Sequence, residues 1–210
     1  MMASPDIFNI KVIGKGGHGA VPQESIDPIV ITCQIVNSLQ TIVSRKINPL
    51  DPVVITCGRI QGGDCHNVIP NEVELEGTIR TFNEETRNWV PKVMEDLIRG
   101  ITTSQGAAYE FKYEPKYPAL INDKYMTSFA KESLKKVVGE ENVFDLKEPN
   151  MGGEDFAYFA QKVPSAFIFV GIANNKSEPV IHHNPYFKWD SKNVGILAQS
   201  LSQIAIDYLK

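Results

Sequence analysis

The chain has 210 residues, 42% of them hydrophobic and 22% charged, enough apolar material for one large core or two small ones without disulfides. A net charge of −4 with no long basic block leaves no stripe for electrostatic binding of nucleic acid, and no apolar run is long enough to span a bilayer. The opening MMASPDIF lacks the basic and apolar regions of a secretory signal, and Cys33, Cys57 and Cys65 lack metal-finger spacing, so a cytoplasmic location is expected.

DIFNIKVIG reads as a strand ending at Gly14, with Phe8, Ile10 and Val12 on one face. A helix follows, with Asp27 as N-cap and Pro28 at its first position. Ile29, Cys33, Val36, Leu39 and Val43 recur at three- and four-residue steps and mark its apolar stripe. PVVITCGRIQ is a second strand and GGDCHNVIPN a turn-rich connector. EVELEGTIRTF alternates Val73, Leu75, Gly77 and Ile79 against Glu72, Glu74, Glu76, Thr78 and Arg80, as a strand with one wet face does. Asn83 then caps a helix that stops at Gly106, with a kink or local adjustment expected at Pro91. AAYEFKYEPKYP closes the set as a fourth strand. The order β-α-β-β-α-β over residues 6–117 is the ferredoxin-like, split-βαβ arrangement.

Residues 118–210 read differently. DKYMTSFAKESLKKVVG is a helix stopped by Gly139, NVFDL a short strand, and EPNMGGEDFAYFAQKV a glycine turn with a short helix. SAFIFVGI reads as a buried parallel strand, and the last helix carries Val194, Leu197, Leu201, Ile204 and Leu209 at helical spacing. The overall class is α/β: a ferredoxin-like α+β domain followed by an α/β segment with too few strands to complete a doubly wound layer.

Four histidines (His18, His66, His182, His183) and the Glu154–Asp155 pair are the groups best suited to hydrolytic or metal chemistry. None has diagnostic spacing: HExxH, CxxC, GxSxG and phosphate-loop patterns are all absent. On spacing alone, a single histidine in a glycine-rich loop is more often a turn residue than a ligand.

GKGGHGAVP, HNVIPNEVELEGTIRTF, MGGEDFAYF and HHNPYF, in that order and at those separations, resemble the co-catalytic zinc amidohydrolases. That family includes aminoacylase, hippurate hydrolase, indole-acetyl-amino-acid hydrolases and carboxypeptidase G-type enzymes. The resemblance implies a catalytic domain with two divalent metal ions, zinc with manganese or cobalt as alternatives, and an inserted lid that also dimerises. Residues 6–117 correspond to the lid and 118–210 to the C-terminal part of the catalytic domain. The family's His-x-Asp, Cys-Gly-His-Asp and Glu-Glu motifs, which supply most metal ligands and the general base, have no counterpart here. The expectation is therefore a C-terminal fragment of an N-acyl-amino-acid amidohydrolase or peptidase, inactive alone and holding no metal stably. A non-catalytic dimerising remnant and one half of a split enzyme are the alternatives.

The same resemblance assigns roles. His18 would stabilise the oxyanion in a partner's site across a homodimer, in an enzyme whose metal-bound hydroxide attacks the amide. Asn67 would hold the substrate carboxylate or the oxyanion. Gly152 and Gly153 would offer backbone N–H groups to substrate, and His183 would be a metal ligand, with His182 only its neighbour. Arg80 is open between binding a substrate carboxylate and being a solvated charge. His66 has no matching role, and Glu154 and Asp155 equally suit a helix start.

Overall fold

The computed structural model describes residues 1–172 and 183–210. The chain divides into two compact units. One comprises residues 1–121 and 149–158, the other residues 122–148 and 159–210.

The first unit contains β1 (Ser4–Ile13), β2 (Gly17–His18), α1 (Pro28–Thr41), β3 (Val54–Gln61), β4 (Val68–Ile69), β5 (Glu72–Thr81), α2 (Glu84–Ser104) and β6 (Ala108–Glu114). Four strands form an antiparallel sheet in the order β3-β5-β1-β6. Phe8, Ile10, Val12, Leu75 and Ile79 of the sheet share one core with Ile31, Ile35 and Leu39 of α1 and Val90, Met94 and Ile98 of α2. Both helices thus cover one face, as the β-α-β-β-α-β order requires. Gly77 lies opposite Phe8, and a Cβ there would come within 2.2 Å of the Phe8 ring. The missing side chain makes room for the largest residue of the central strand.

The caps form as their residue types dictate. The Asp27 carboxylate accepts from Ile29 and Val30 N–H, and the Asn83 side chain accepts from Glu85 and Thr86 N–H. Gly106 closes the second helix region at φ 71°. Helix α2 runs unbroken through Pro91. The buried side of α1 differs from the expected stripe. Ile31, Ile35, Leu39 and Ile42 are buried, whereas Ile29 and Cys33 are exposed. Apolar residues fall on two neighbouring rows of this helix, so both satisfy the helical period and only packing chooses between them. Its last turn widens over Ile42–Lys46, where Ile47 N–H reaches back to Ile42 O at 3.2 Å.

A polar knot ties this unit together. Asp6 is wholly buried and receives Arg87 Nε at 2.8 Å and Nη2 at 2.7 Å. It also receives the Tyr113 hydroxyl and, at 2.9 Å, Lys116 N–H. Arg87 Nη2 donates in turn to Lys116 O at 3.0 Å. The knot joins β1, α2, β6 and the segment leaving β6. Hydrogen bonds from Arg87 to Asp6 hold the guanidinium pKa above its ordinary value, against the opposing effect of burial. Burial raises the Tyr113 hydroxyl, and its bond to Asp6 raises it further. Near this region the two ends of the unit's longer segment meet: Met2 N–H bonds Leu120 O at 2.8 Å and Leu120 N–H bonds Met2 O at 2.9 Å.

In the second unit, α3 (Lys124–Val138) is capped by Asp123 and ended by Gly139 at φ 86°. It packs on the long C-terminal helix (Lys192–Tyr208), where Ala130 and Ser133 of α3 and Ser200 of the C-terminal helix are the buried residues. A four-residue helix, α4 (Ala157–Ala160), spans the division between units, which makes the C-terminal helix α5. Two expected strands are absent. NVFDL and SAFIFVGI form no strand. A strand needs a neighbour for its backbone groups, and the described residues of this unit supply none. The SAFIFVGI backbone is held instead by the Asn122 amide, which donates to Phe167 O at 2.9 Å and accepts Phe167 N–H at 3.0 Å. Phe144 is 77% exposed and Phe169 54%. Of the residues expected to line the last helix, Val194, Leu197, Leu201 and Leu209 are exposed and Ile204 is half-buried.

Two outcomes follow from these contacts. Asp6→Ala leaves the Arg87 charge buried without its partner and is expected to lower unfolding free energy by about 3–5 kcal/mol in chemical denaturation. Asp207 on α5 accepts from Lys136 Nζ at 2.9 Å and Gln203 Nε2 at 3.0 Å. With Ser133, these bonds lower its pKa from 3.8 to about 2. A lowered carboxylate pKa stabilises the fold above the unfolded value and loses that effect as pH falls through the folded one. Asp207→Asn should therefore lower the melting temperature at pH 7 and leave it unchanged below pH 2.

Candidate functional site

Strands β1 and β5 pair as far as Ile13 and Glu72, and the chain segments beyond them stay together. Gly14 N–H bonds Asn71 O at 2.8 Å. With one residue gained, Gly17 then pairs with Ile69 and His18 with Val68. Gly19 N–H bonds Asn67 O at 2.8 Å. The result is a two-stranded arm that continues the sheet, and it places His18 beside Asn67. At its base, Lys15 and Ile26 exchange two backbone bonds of 2.9 Å and close the loop that carries His18.

The glycines of this loop serve close approach. Among the described residues, positive φ occurs at Gly63, Gly106 and Gly139 and at His183, and none of the GKGGHGAVP glycines is among them. A Cβ on Gly19 would lie 2.9 Å from Asn67 O, and one on Gly14 would lie 2.2 Å from Ile26 O. The two segments come together because these residues have no side chains.

His18 is exposed, and its Nδ1 accepts Ala20 N–H at 3.0 Å. The neutral ring therefore carries its proton on Nε2, which makes Nε2 a donor. Asn67 Oδ1 receives the Cys65 thiol at 2.9 Å, so the amide nitrogen is the end left to donate outward. The two segments thus carry two donors, an imidazole Nε2–H and an amide N–H, on residues one step apart in the ladder. That chemistry suits a developing negative charge on oxygen. His66 is exposed beside Cys65, with Nδ1 4.0 Å from the sulfur.

Arg80 lies on the wet face of β5, opposite Pro5 on one side and Val54 on the other. Among the described residues its guanidinium has no ion-pair or hydrogen-bond partner, whereas Arg59 and Lys11, farther along the same sheet, are paired with Glu76 and Glu72. Gly153 packs on Pro5, where an added Cβ would come within 2.4 Å of the ring, so the glycine turn reaches the Arg80 end of the sheet. Gly152 N–H is donated to Asn150 Oδ1 at 2.6 Å, and Ala3 N–H bonds Gly152 O at 3.1 Å. Glu154 and Asp155 accept the first backbone N–H groups of α4 through their carbonyls, Ala157 to Glu154 and Tyr158 to Asp155. The Glu154 carboxylate also accepts Phe156 N–H at 3.4 Å, as an acid at a helix start does. His183 lies in the second unit, exposed, at φ 66°. His182 lies outside the described residues.

The order and sequence of these elements match the model of peptidase family M20/M25/M40 over residues 9–206. The chain belongs to this family. It is 39% identical to an N-acetylcysteine deacetylase of Bacillus subtilis, covering 100% of this chain and 53% of the relative. It is 51% identical over 122 residues to an N-acyl-L-amino acid amidohydrolase of Geobacillus stearothermophilus, covering 58% of this chain and 33% of that protein. The crystal structure of the Bacillus subtilis YXEP protein, described as a dinuclear metal binding peptidase from the M20 family, superposes with a TM-score of 0.75 at 33% identity. That match covers 100% of this chain and 51% of the other. The chain spans about half the length of the curated relatives that match it throughout.

Membership in the M20 family raises the question of metal. Among the described residues, no group of three or more His, Cys, Asp or Glu side chains is placed to hold an ion. A catalytic zinc site takes about three protein ligands. The described residues therefore do not fit a two-metal centre by themselves.

The arm escaped sequence reading because its strands are two residues long. One signal was available. Once β1 is paired with β5, the residues just after Ile13 and just before Glu72 must leave the sheet side by side.

Proposed function

We propose that this chain supplies the lid, residues 6–117, and the C-terminal part of the catalytic domain, residues 118–210, of a metal-dependent N-acyl-amino-acid amidohydrolase. The observation that carries this reading is the pair of donors on the arm. His18, fixed by Ala20 as an Nε2 donor, stands beside Asn67, whose amide is turned outward by Cys65. Both would donate to the carbonyl oxygen of the scissile amide as it gains negative charge. Arg80, without a described partner and near the Gly153 turn, would take the substrate carboxylate through its forked donors, with Gly153 N–H facing the same ligand. His183 would contribute one imidazole to a metal pair, zinc or alternatively manganese or cobalt, held mainly by residues that this chain does not contain. The relatives' names, an acetylcysteine deacetylase and an acyl-amino acid amidohydrolase, support an acylated amino acid as substrate. Three free cysteines suit a reducing cytoplasm, and no described helix is long and apolar enough to cross a membrane.

A homodimer through the lid is part of this proposal. Helix α1 turns Ile29 and Val30 outward, 41% and 50% exposed, and β3 is an edge strand with Ile60 53% exposed. A second copy could pair at this edge and cover these residues, bringing His18 to the partner's site.

Two measurements check the proposal. The pure 210-residue protein should turn over no N-acetyl- or hippuryl-amino acid, while fusion to the metal-binding half of a family member should restore hydrolysis. In that fusion His18→Ala should lower kcat by about 10²–10³-fold, and an unchanged kcat would remove the oxyanion role. In light scattering the chain should be a dimer that Val30→Glu converts to monomer, and a wild-type monomer at all concentrations would refute the lid interface.

A further inference from the structure

We infer that Asn71 is a positioning residue that latches the His18 strand to the Asn67 strand, an assignment resting on the oxyanion reading above. Its residue type gives no hint of this, because an exposed Asn after Pro70 is an ordinary turn residue. The geometry is specific. Asn71 Oδ1 accepts Gly16 N–H at 2.9 Å, and its main-chain oxygen accepts Gly14 N–H at 2.8 Å. One residue therefore grips two alternate residues of the opposite strand, just before the Gly17–Ile69 and His18–Val68 pairs. It sits where the arm leaves the four-stranded sheet and where the ladder gains its extra residue.

The grip matters because the arm has little else. Strands β2 and β4 have two residues each, and a ribbon that short has no independent stability. Beyond the latch, the Gly19 bond to Asn67 O is the last backbone bond between the two segments among the described residues. Gly16 is shaped to this latch, since a Cβ there would lie 2.9 Å from Asn71 Oδ1 and 2.8 Å from Ile69 O. Asn71 acts on the reaction through the spacing of His18 and Asn67, and donors that must converge on one oxygen tolerate little drift.

The acceptor oxygen carries the role, so the substitutions separate cleanly. Asn71→Asp keeps an acceptor at the same reach. Asn71→Ala removes it and leaves the main-chain bond to Gly14. The test uses the labelled 210-residue chain and reads amide exchange at Gly16, Gly19 and Ile10 together with the cross-strand NOE between His18 and Val68. With Asn71→Ala, exchange at both Gly16 and Gly19 should speed up about five- to tenfold, and the NOE should weaken. Ile10, in the sheet core, should not change. Asn71→Asp should match the wild type. Unchanged exchange at Gly19, an equal loss in the Asp variant, or a parallel rise at Ile10 would each overturn the proposal. Asn71→Gln, one methylene too long for the same contact, serves as the loosening variant if the Ala variant does not fold. These readings need no substrate. The latch can therefore fail while the His18→Ala assay succeeds, and the assay can fail while the latch stands.

Discussion

The buried Asp6–Arg87 pair is the constraint on which the first unit depends. A carboxylate with no solvent access has to be answered by donors, and here they come from a helix, a strand and a departing loop. Each donor fixes a different element relative to β1. Hydrophobic packing alone sets these elements near one another, but it is tolerant of sliding. The bidentate fork of Arg87 is not, because two parallel bonds define direction as well as distance. The register of β1 between β5 and β6 is thereby tied to the position of α2.

That register reaches the site. Once β1 and β5 are locked in phase, the segments running out of the sheet at Ile13 and Glu72 are delivered as a pair. The arm inherits its alignment from the sheet and needs only glycines, a latch and a few backbone bonds to carry it as far as His18 and Asn67. The donors are then set by neighbours within two residues: Ala20 for the imidazole and Cys65 for the amide. The hierarchy runs from a buried ion pair, through strand register, to the protonated nitrogen of one ring.

How much of this was legible in the sequence depended on the range of the interaction. Asp27, Asn83, Gly106 and Gly139 act on backbone groups within a few residues, and each does what its type predicts. Alternation in EVELEGTIRTF was enough to orient β5, because a strand has only two faces. Helix α1 offered two apolar rows, and the choice of Ile31 and Ile35 over Ile29 and Cys33 was made by the sheet beneath it. NVFDL and SAFIFVGI have strand composition, yet a strand is a property of a pair, and the described residues provide no second member. The Asp6–Arg87 contact joins residues 81 positions apart and left no local pattern. His18 and Asn67 could be named from motif resemblance, whereas their adjacency required the sheet.

The bridge between Met2 and Leu120 has a consequence of another kind. Residues 2–120 are therefore one long excursion whose first and last backbone groups hold each other. Lengthening a loop adds little closure entropy, and touching ends demand no rearrangement of the surrounding architecture. A segment that closes on itself carries its own anchor, and changes in its interior leave the spacing of its two ends untouched.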